Sequence, residues 1–179
     1  RFLATPPATF CRLRHGETLT LDGRAWEVLV GEGHSPEHAC LWDGERRILI
    51  AGDQLLPRIS SNLMVSSTEP EANPLARWFE SLDRLDGLPE DTLVLPSHDE
   101  VFRGLHRRTR MLRWHHRLIQ GRQEGGCTAA QAMTALYPRL RGPMDELLAL
   151  GETLAHLNWL LRQGHLSRSL DAQGIYRYA

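Results

Sequence analysis

The chain has 179 residues, 41% of them apolar and 24% charged, enough for a real core in one or two domains. Its 21 basic and 22 acidic residues leave a net charge of −1, which argues against a general binder of nucleic acid or acidic membranes. No apolar run reaches the ~18 residues of a membrane span, and no signal peptide is visible.

Every basic residue is Arg; the absence of Lys reads as codon bias of a GC-rich bacterial genome, so each Arg cluster is discounted. Cys11, Cys40 and Cys127 form no CxxC pair and fit no simple disulfide framework. They read as reduced thiols of a cytoplasmic protein.

Residues 8–31 read as strands, with Asp22-Gly23 as a hairpin turn between two of them. Ala39–Trp42 and Arg47–Ala51, joined at Asp43-Gly44, make a second hairpin ending at Gly52-Asp53. The apolar stretch Ile48–Ala51 suggests burial on both faces. A long loop runs from Gln54 to Asn73, and loops of that length are usually functional or disordered. Pro74–Leu85 reads as a helix, with Leu75, Trp78, Phe79, Leu82 and Leu85 as its apolar stripe. Thr92–Leu95 is a short buried strand ending at Pro96, and a helix covers about 104–120 with Leu105, Met111, Leu112 and Leu118 partly apolar.

A boundary is expected at the polar, glycine-containing stretch 121–126. Thr128 caps a helix reaching Tyr137. Met144–Leu150 and Glu152–Arg162 read as two helices separated by Gly151, and a hairpin of His165–Leu170 and Ile175–Tyr178 closes the chain. That order is the order of a winged helix-turn-helix.

Three short motifs stand at strand ends: Gly33-His34-Ser35-Pro36-Glu37-His38, Gly52-Asp53 and Pro96-Ser97-His98-Asp99. Strand ends are where functional groups gather in layered α/β folds. Imidazole nitrogens with a carboxylate suit Zn²⁺ or a similar divalent metal. Asp53 has two oxygens and could bridge two metals, with His34 and His98 completing one each. Singly, each motif is more often a turn or a structural histidine; in this order and spacing they are specific.

On those motifs the chain resembles the C-terminal half of a metallo-β-lactamase-fold hydrolase of the glyoxalase II-like group. The resemblance covers about residues 8–120. It implies metal ligands at His34, Asp53 and His98, with His38 behind them. It implies an α+β architecture: the C-terminal half of an αββα sandwich over 1–120, a linker at 121–126 and a winged-helix-like domain over 127–179. The family's HxHxDH motif, with the water-orienting Asp, is absent, and its usual place lies upstream of Arg1. Truncation is the favoured account, because a half-sandwich leaves a sheet face uncovered. Glu37 and Ser97 stand where the family often has Gly. For the intact enzyme the resemblance implies two zinc ions, with iron or manganese as alternatives, and attack of a metal-activated water on a thioester, ester or lactone. This chain alone is expected to hold metal poorly and to be inactive.

Arg58, Ser60, Ser61 and Asn62 lie on the long loop beside Asp53 and are candidates for substrate binding, weighed evenly against a solvated loop. Residues 101–122 carry seven Arg and no acid, while 69–100 carry nine acids and two Arg. Two such blocks favour internal complementarity. His115 and His116 are adjacent on a helix and point apart, so they read as surface or packing residues. Leu147, Leu150, Leu154, Leu157 and Leu161 form a seam at three-four spacing. The tail carries five Arg against four acids, a weak field for phosphate. It therefore reads as a lid, pocket wall or dimerisation element.

The expected partner is a small-molecule substrate, with no membrane partner, nucleic acid disfavoured and a homodimer allowed. The rivals are a nuclease of the same fold, a non-catalytic front-truncated interaction module, and redox chemistry on iron.

Overall fold

A computed structural model describes residues 8–120 and 126–179, with side chains described through 116 and again from 126. The expected linker at 121–126 thus lies outside the described residues except for Gly126, as does the Leu118 side chain.

The architecture is α+β. Five strands, β1 (Thr18–Leu21), β2 (Arg24–Gly31), β3 (His38–Asp43), β4 (Ile48–Gly52) and β5 (Leu93–Pro96), form one sheet in that spatial order. The first four pair antiparallel, and β5 joins β4 in parallel. The parallel pair needs a crossover, and α1 (Pro74–Leu85) supplies it. α2 (Leu105–Gln120) follows β5.

Local chemistry accounts for most of these boundaries. Asp22 and Gly23 have φ of 49° and 72°, the left-handed pair that a tight hairpin of matching twist requires. Pro74 opens α1, and the Asn73 side chain accepts from the Ala76 amide. Leu75, Trp78, Leu82 and Leu85 are buried, against the sheet face that carries Cys40, Trp42, Leu49, Ala51 and Val94.

The structure corrects several expectations. Residues 8–17 lie outside the strands. A turn at Arg14–Glu17, with Gly16 at φ 79°, delays the ladder until Thr18. β4 is buried on one face only: Leu49 and Ala51 are enclosed, whereas Ile50 is 38% exposed. The two helices pack on the former side, and the strand's period of two turns Ile50 to the other.

The C-terminal part contains α3 (Ala129–Leu136), α4 (Pro143–Arg162) and a hairpin of β6 (Arg168–Leu170) and β7 (Tyr176–Tyr178). Thr128 caps α3 in a capping box with Gln131. The expected break at Gly151 does not occur; α4 is continuous through it. A Cβ on Gly151 would stand 2.1 Å from Cγ of Met64. The glycine is a contact point with the long loop, and tertiary packing offsets its poor helix propensity. The leucine seam is also displaced. Leu157 is buried but Leu147 is 56% exposed, and the enclosed face of α4 holds Ala149, Thr153, Ala155, His156, Leu157, Asn158 and Leu160. Ala132, Leu157 and Tyr178 form a small core separate from that of the sheet.

α4 lies along the loop. Asn158 Nδ2 donates to the Pro70 and Ala72 carbonyls at 2.9 Å each, and Arg162 donates to the Glu71 carbonyl at 3.0 Å. The complementary blocks meet as well: Arg113 bridges Asp83 and Asp86 at 2.6 and 2.7 Å.

Candidate metal centre

The parallel pairing of β4 and β5 sets the site. Gly52 pairs with Pro96, and the Ser97 amide donates to the Gly52 carbonyl at 3.2 Å. The residues just beyond, Asp53 and His98, therefore emerge side by side at the carboxyl ends of the two strands. His34 arrives from the loop between β2 and β3. Gly33 permits its approach at φ 102°, with α1 so close that a Cβ would lie 2.4 Å from the Trp78 Cβ.

Asp53 stands between two imidazoles. Its Oδ2 is 3.5 Å from His34 Nε2, and its Oδ1 is 3.3 Å from His98 Nε2. Each carboxylate oxygen thus faces a different ring. His34 Nδ1 lies 2.9 Å from the Asn62 carbonyl and can only donate there. In the neutral ring, Nε2 then turns its lone pair toward a carboxylate oxygen. Two acceptors facing each other need a cation between them, either a proton or a metal ion. The donor set of two imidazoles and a carboxylate fits a borderline divalent metal.

Ser97 Oγ donates to Asp53 Oδ1. That hydrogen bond, ahead of the neighbouring histidines, holds the carboxyl below its ordinary range, against the opposing effect of burial. Glu37 adopts φ 51° and pairs with Arg12, and Asp99 adopts φ 63°. The two places where the family often has Gly therefore carry a left-handed Glu and a hydroxyl on the carboxylate.

His38 sits behind the centre. Its Nε2 accepts from the Asp53 amide at 3.2 Å, and its Nδ1 is 3.7 Å from Cys40 Sγ. Burial first, and the His34 charge second, lower its pKa. Gly52 has φ 54°, and a Cβ there would lie 2.7 Å from the His38 ring, so only glycine lets the ring lie so close beneath the turn. Burial pushes the Cys40 thiol up to about 12, which leaves it an inert packing group.

The loop residues differ in what they do. Ser61 is buried and its hydroxyl donates to the Asp53 carbonyl. Ser60 Oγ is 2.9 Å from His116 Nε2. Asn62 offers its carbonyl to His34 and also lines a cavity of about 510 Å³. Arg58 is largely exposed and lies 3.7 Å from Glu100. Of the four expected substrate contacts, the Ser60 and Ser61 hydroxyls are thus directed into the protein rather than toward a ligand.

The cavity opens beside His34 and is walled by Pro36, Met64, Arg77 and, from α4, Leu148. Sequence reasoning did not find Arg77 or Leu148, because the loop and α4 bring them together over more than 70 positions. It also placed His116 among surface or packing residues. The packing alternative holds: His116 is fully buried against Trp78 and His156.

Family models match in two blocks. The metallo-beta-lactamase superfamily model covers residues 8–98, and the metallo-beta-lactamase-like C-terminal domain model covers 116–179. The chain belongs to the metallo-β-lactamase superfamily. A beta-lactamase domain protein from Burkholderia ambifaria is 42% identical, with a TM-score of 0.91 over 98% of this chain and 54% of its own. A metallo-beta-lactamase family protein from Thermus thermophilus is 32% identical, with a TM-score of 0.83 over 97% of this chain and 55% of its own. An uncharacterized protein from Aquifex aeolicus is 32% identical over 103 residues, 56% of this chain and 46% of that protein. The chain thus spans about half the length of these relatives. The superfamily fold is that of metal-dependent hydrolases. Among the described residues no helix is long and apolar enough to cross a membrane.

Proposed function

We propose that this chain supplies the His34–Asp53–His98 half of a dinuclear hydrolase centre, with 1–120 as the metallo-β-lactamase part, 121–126 as linker and 127–179 as a helical lid. The observation that carries the reading is the carboxylate of Asp53, whose two oxygens each face one imidazole at 3.3 and 3.5 Å. Bound there, two zinc ions, or iron or manganese on the same ligand types, would acidify a water toward neutrality and polarise the scissile carbonyl.

The chain's own residues do the rest. The Asn62 carbonyl fixes the His34 tautomer so that Nε2 is the ligand atom. Ser97 steers one oxygen of Asp53, and His38 anchors the Asp53 amide. The adjoining cavity takes a small substrate. Pro36, Met64 and Leu148 offer an apolar wall for its acyl part, and Arg77 is placed to meet a carboxylate. An ester, thioester or lactone of that kind is the proposed substrate class.

The test compares the full gene product with its Asp53→Ala variant. Metal content is read by mass spectrometry, and hydrolysis against a panel of thioesters, lactones and an activated phosphodiester. The variant is expected to lose metal and rate together. If Asp53→Ala keeps both, the assignment of the centre is wrong; if only the phosphodiester is cleaved, the substrate class is wrong.

A further inference from the structure

A second group of potential ligands lies away from Asp53. One nitrogen each of His116 and His156 and one oxygen of Glu152 lie within 4.8 Å of one another. Glu152 and His156 are four residues apart on α4 and so share a face. His116 reaches them from α2. The two rings are near-parallel at 28°, and His116 Nδ1 is 3.2 Å from His156 Nε2.

The pocket leaves a buried ring nitrogen unpaired. His116 Nε2 is committed to Ser60 Oγ at 2.9 Å. His156 is 1% exposed, yet its Nδ1 has no partner. The Tyr137 hydroxyl lies against the Glu152 carboxylate. Burial, as the largest cause, pushes Glu152 up to about 7 and the two histidines down to about 3 and 4. Leaving the fully buried His156 Nδ1 without a partner is costly.

We propose that His116, Glu152 and His156 form a second divalent-cation site, distinct from the Asp53 centre, that clamps α4 to α2. The separation of 3.2 Å between the two facing nitrogens is close to the ~3.3 Å edge of a tetrahedron with zinc–nitrogen bonds of about 2.0–2.1 Å. Without the ion the rings share a proton along that edge; binding moves it to Nδ1 of His156, the nitrogen without a partner, with a small rotation of each ring and a shift of the Glu152 side chain. Ser60 acts as the outer partner that keeps His116 Nδ1 free to bind. Ser60 is followed by Ser61 and Asn62, which hold Asp53 and His34. The cation therefore braces the loop behind the first centre from the side of the helical lid.

The test uses a background in which the first centre is removed, the His34→Ala/Asp53→Ala double variant. Cobalt(II) is added as the probe. We expect one equivalent to bind with the visible absorption of a four-coordinate ion, and zinc to raise the melting temperature. Adding Glu152→Gln, which keeps shape and burial, is expected to weaken binding about tenfold or more, and His156→Gln likewise. Crystals of the double variant soaked in zinc should show an anomalous peak between α2 and α4, a readout that needs no further substitution. Absence of that peak, or undiminished cobalt binding in folded Glu152→Gln, overturns the proposal. Neither result bears on the Asp53 centre, which is absent from this background.

Discussion

Gly33→Ala is a demanding test of how the loop before His34 is built. A Cβ at this position would stand 2.4 Å from Trp78 Cβ, 2.7 Å from the Pro74 carbonyl oxygen and 3.0 Å from Trp78 Cα. None of these atoms lies at the end of a flexible side chain; relief requires moving the first turns of α1, whose Trp78 is fully buried. The residue also has φ 102°, a conformation that costs an L-residue about 1–3 kcal/mol. Overpacking adds about 1–3 kcal/mol, so a loss of roughly 2–6 kcal/mol is expected, a large share of a typical total of about 5–15 kcal/mol. Gly104→Ala is the matched control, since Gly104 has φ 89° but nothing within 4 Å of an added Cβ; it should lose only the conformational part. Urea denaturation followed by tryptophan fluorescence measures both. With a slope of about 2 kcal/mol per molar, the midpoint of Gly33→Ala should fall about 1 M further than that of Gly104→Ala. Equal losses in the two variants would show that α1 yields readily and that contact with its backbone does not fix the His34 loop.

The buried histidines make stability depend on pH. His116 and His156 are held neutral by burial, with pKa values down to about 3 and 4, so between those values and 6.5 the unfolded chain binds more protons and stability falls as pH falls. Glu152, raised to about 7, acts oppositely between 4.5 and 7, because there the folded state holds the extra proton. The net difference is one proton, about 1.4 kcal/mol per pH unit between 6.5 and 4.5. Urea midpoints with a chelator present should show that slope, and His156→Gln should abolish this share of it. Arg108→Met is expected to cost about 2–4 kcal/mol in the same assay. The Arg108 guanidinium is buried and donates to the Leu56 and Ile59 carbonyls at 2.6 and 2.7 Å, which the variant leaves unsatisfied; an unchanged midpoint would mean that water replaces it.

Much of this was readable in the chain, and the failures have identifiable causes. Pro74–Leu85 is a helix at its expected limits because cap, proline and apolar period agree. Asp22-Gly23 marks its hairpin because few other pairs tolerate two left-handed residues. Asp53 and His98 meet because β4 and β5 end side by side, and the short loop before β3 brings His34 to them. Gly151 misled because local propensity knows nothing of Met64 lying against it. Burial on both faces of Ile48–Ala51 misled because apolarity alone does not say how many layers cover a strand. The His116–His156 pair spans 40 positions and depends on how two helices pack. Its one visible signal was the Glu152–His156 spacing on a single helix face.

On the proposed reading, the placement of α4 separates reactivity from selectivity. The residues facing Asp53 come from strand ends and the loop before β3, but part of the cavity wall, Leu148, comes from a helix that contributes nothing to that centre. The same helix accepts the Val65 amide at the Gly151 carbonyl, at 3.1 Å, and so sets the path of the loop that forms the rest of the wall. Substitutions on the exposed turn from Met144 to Leu148 can therefore re-cut the chamber while the carboxylate and imidazoles stay put. A lineage of such proteins could change diet by editing one helix, without ever passing through a form with a broken centre.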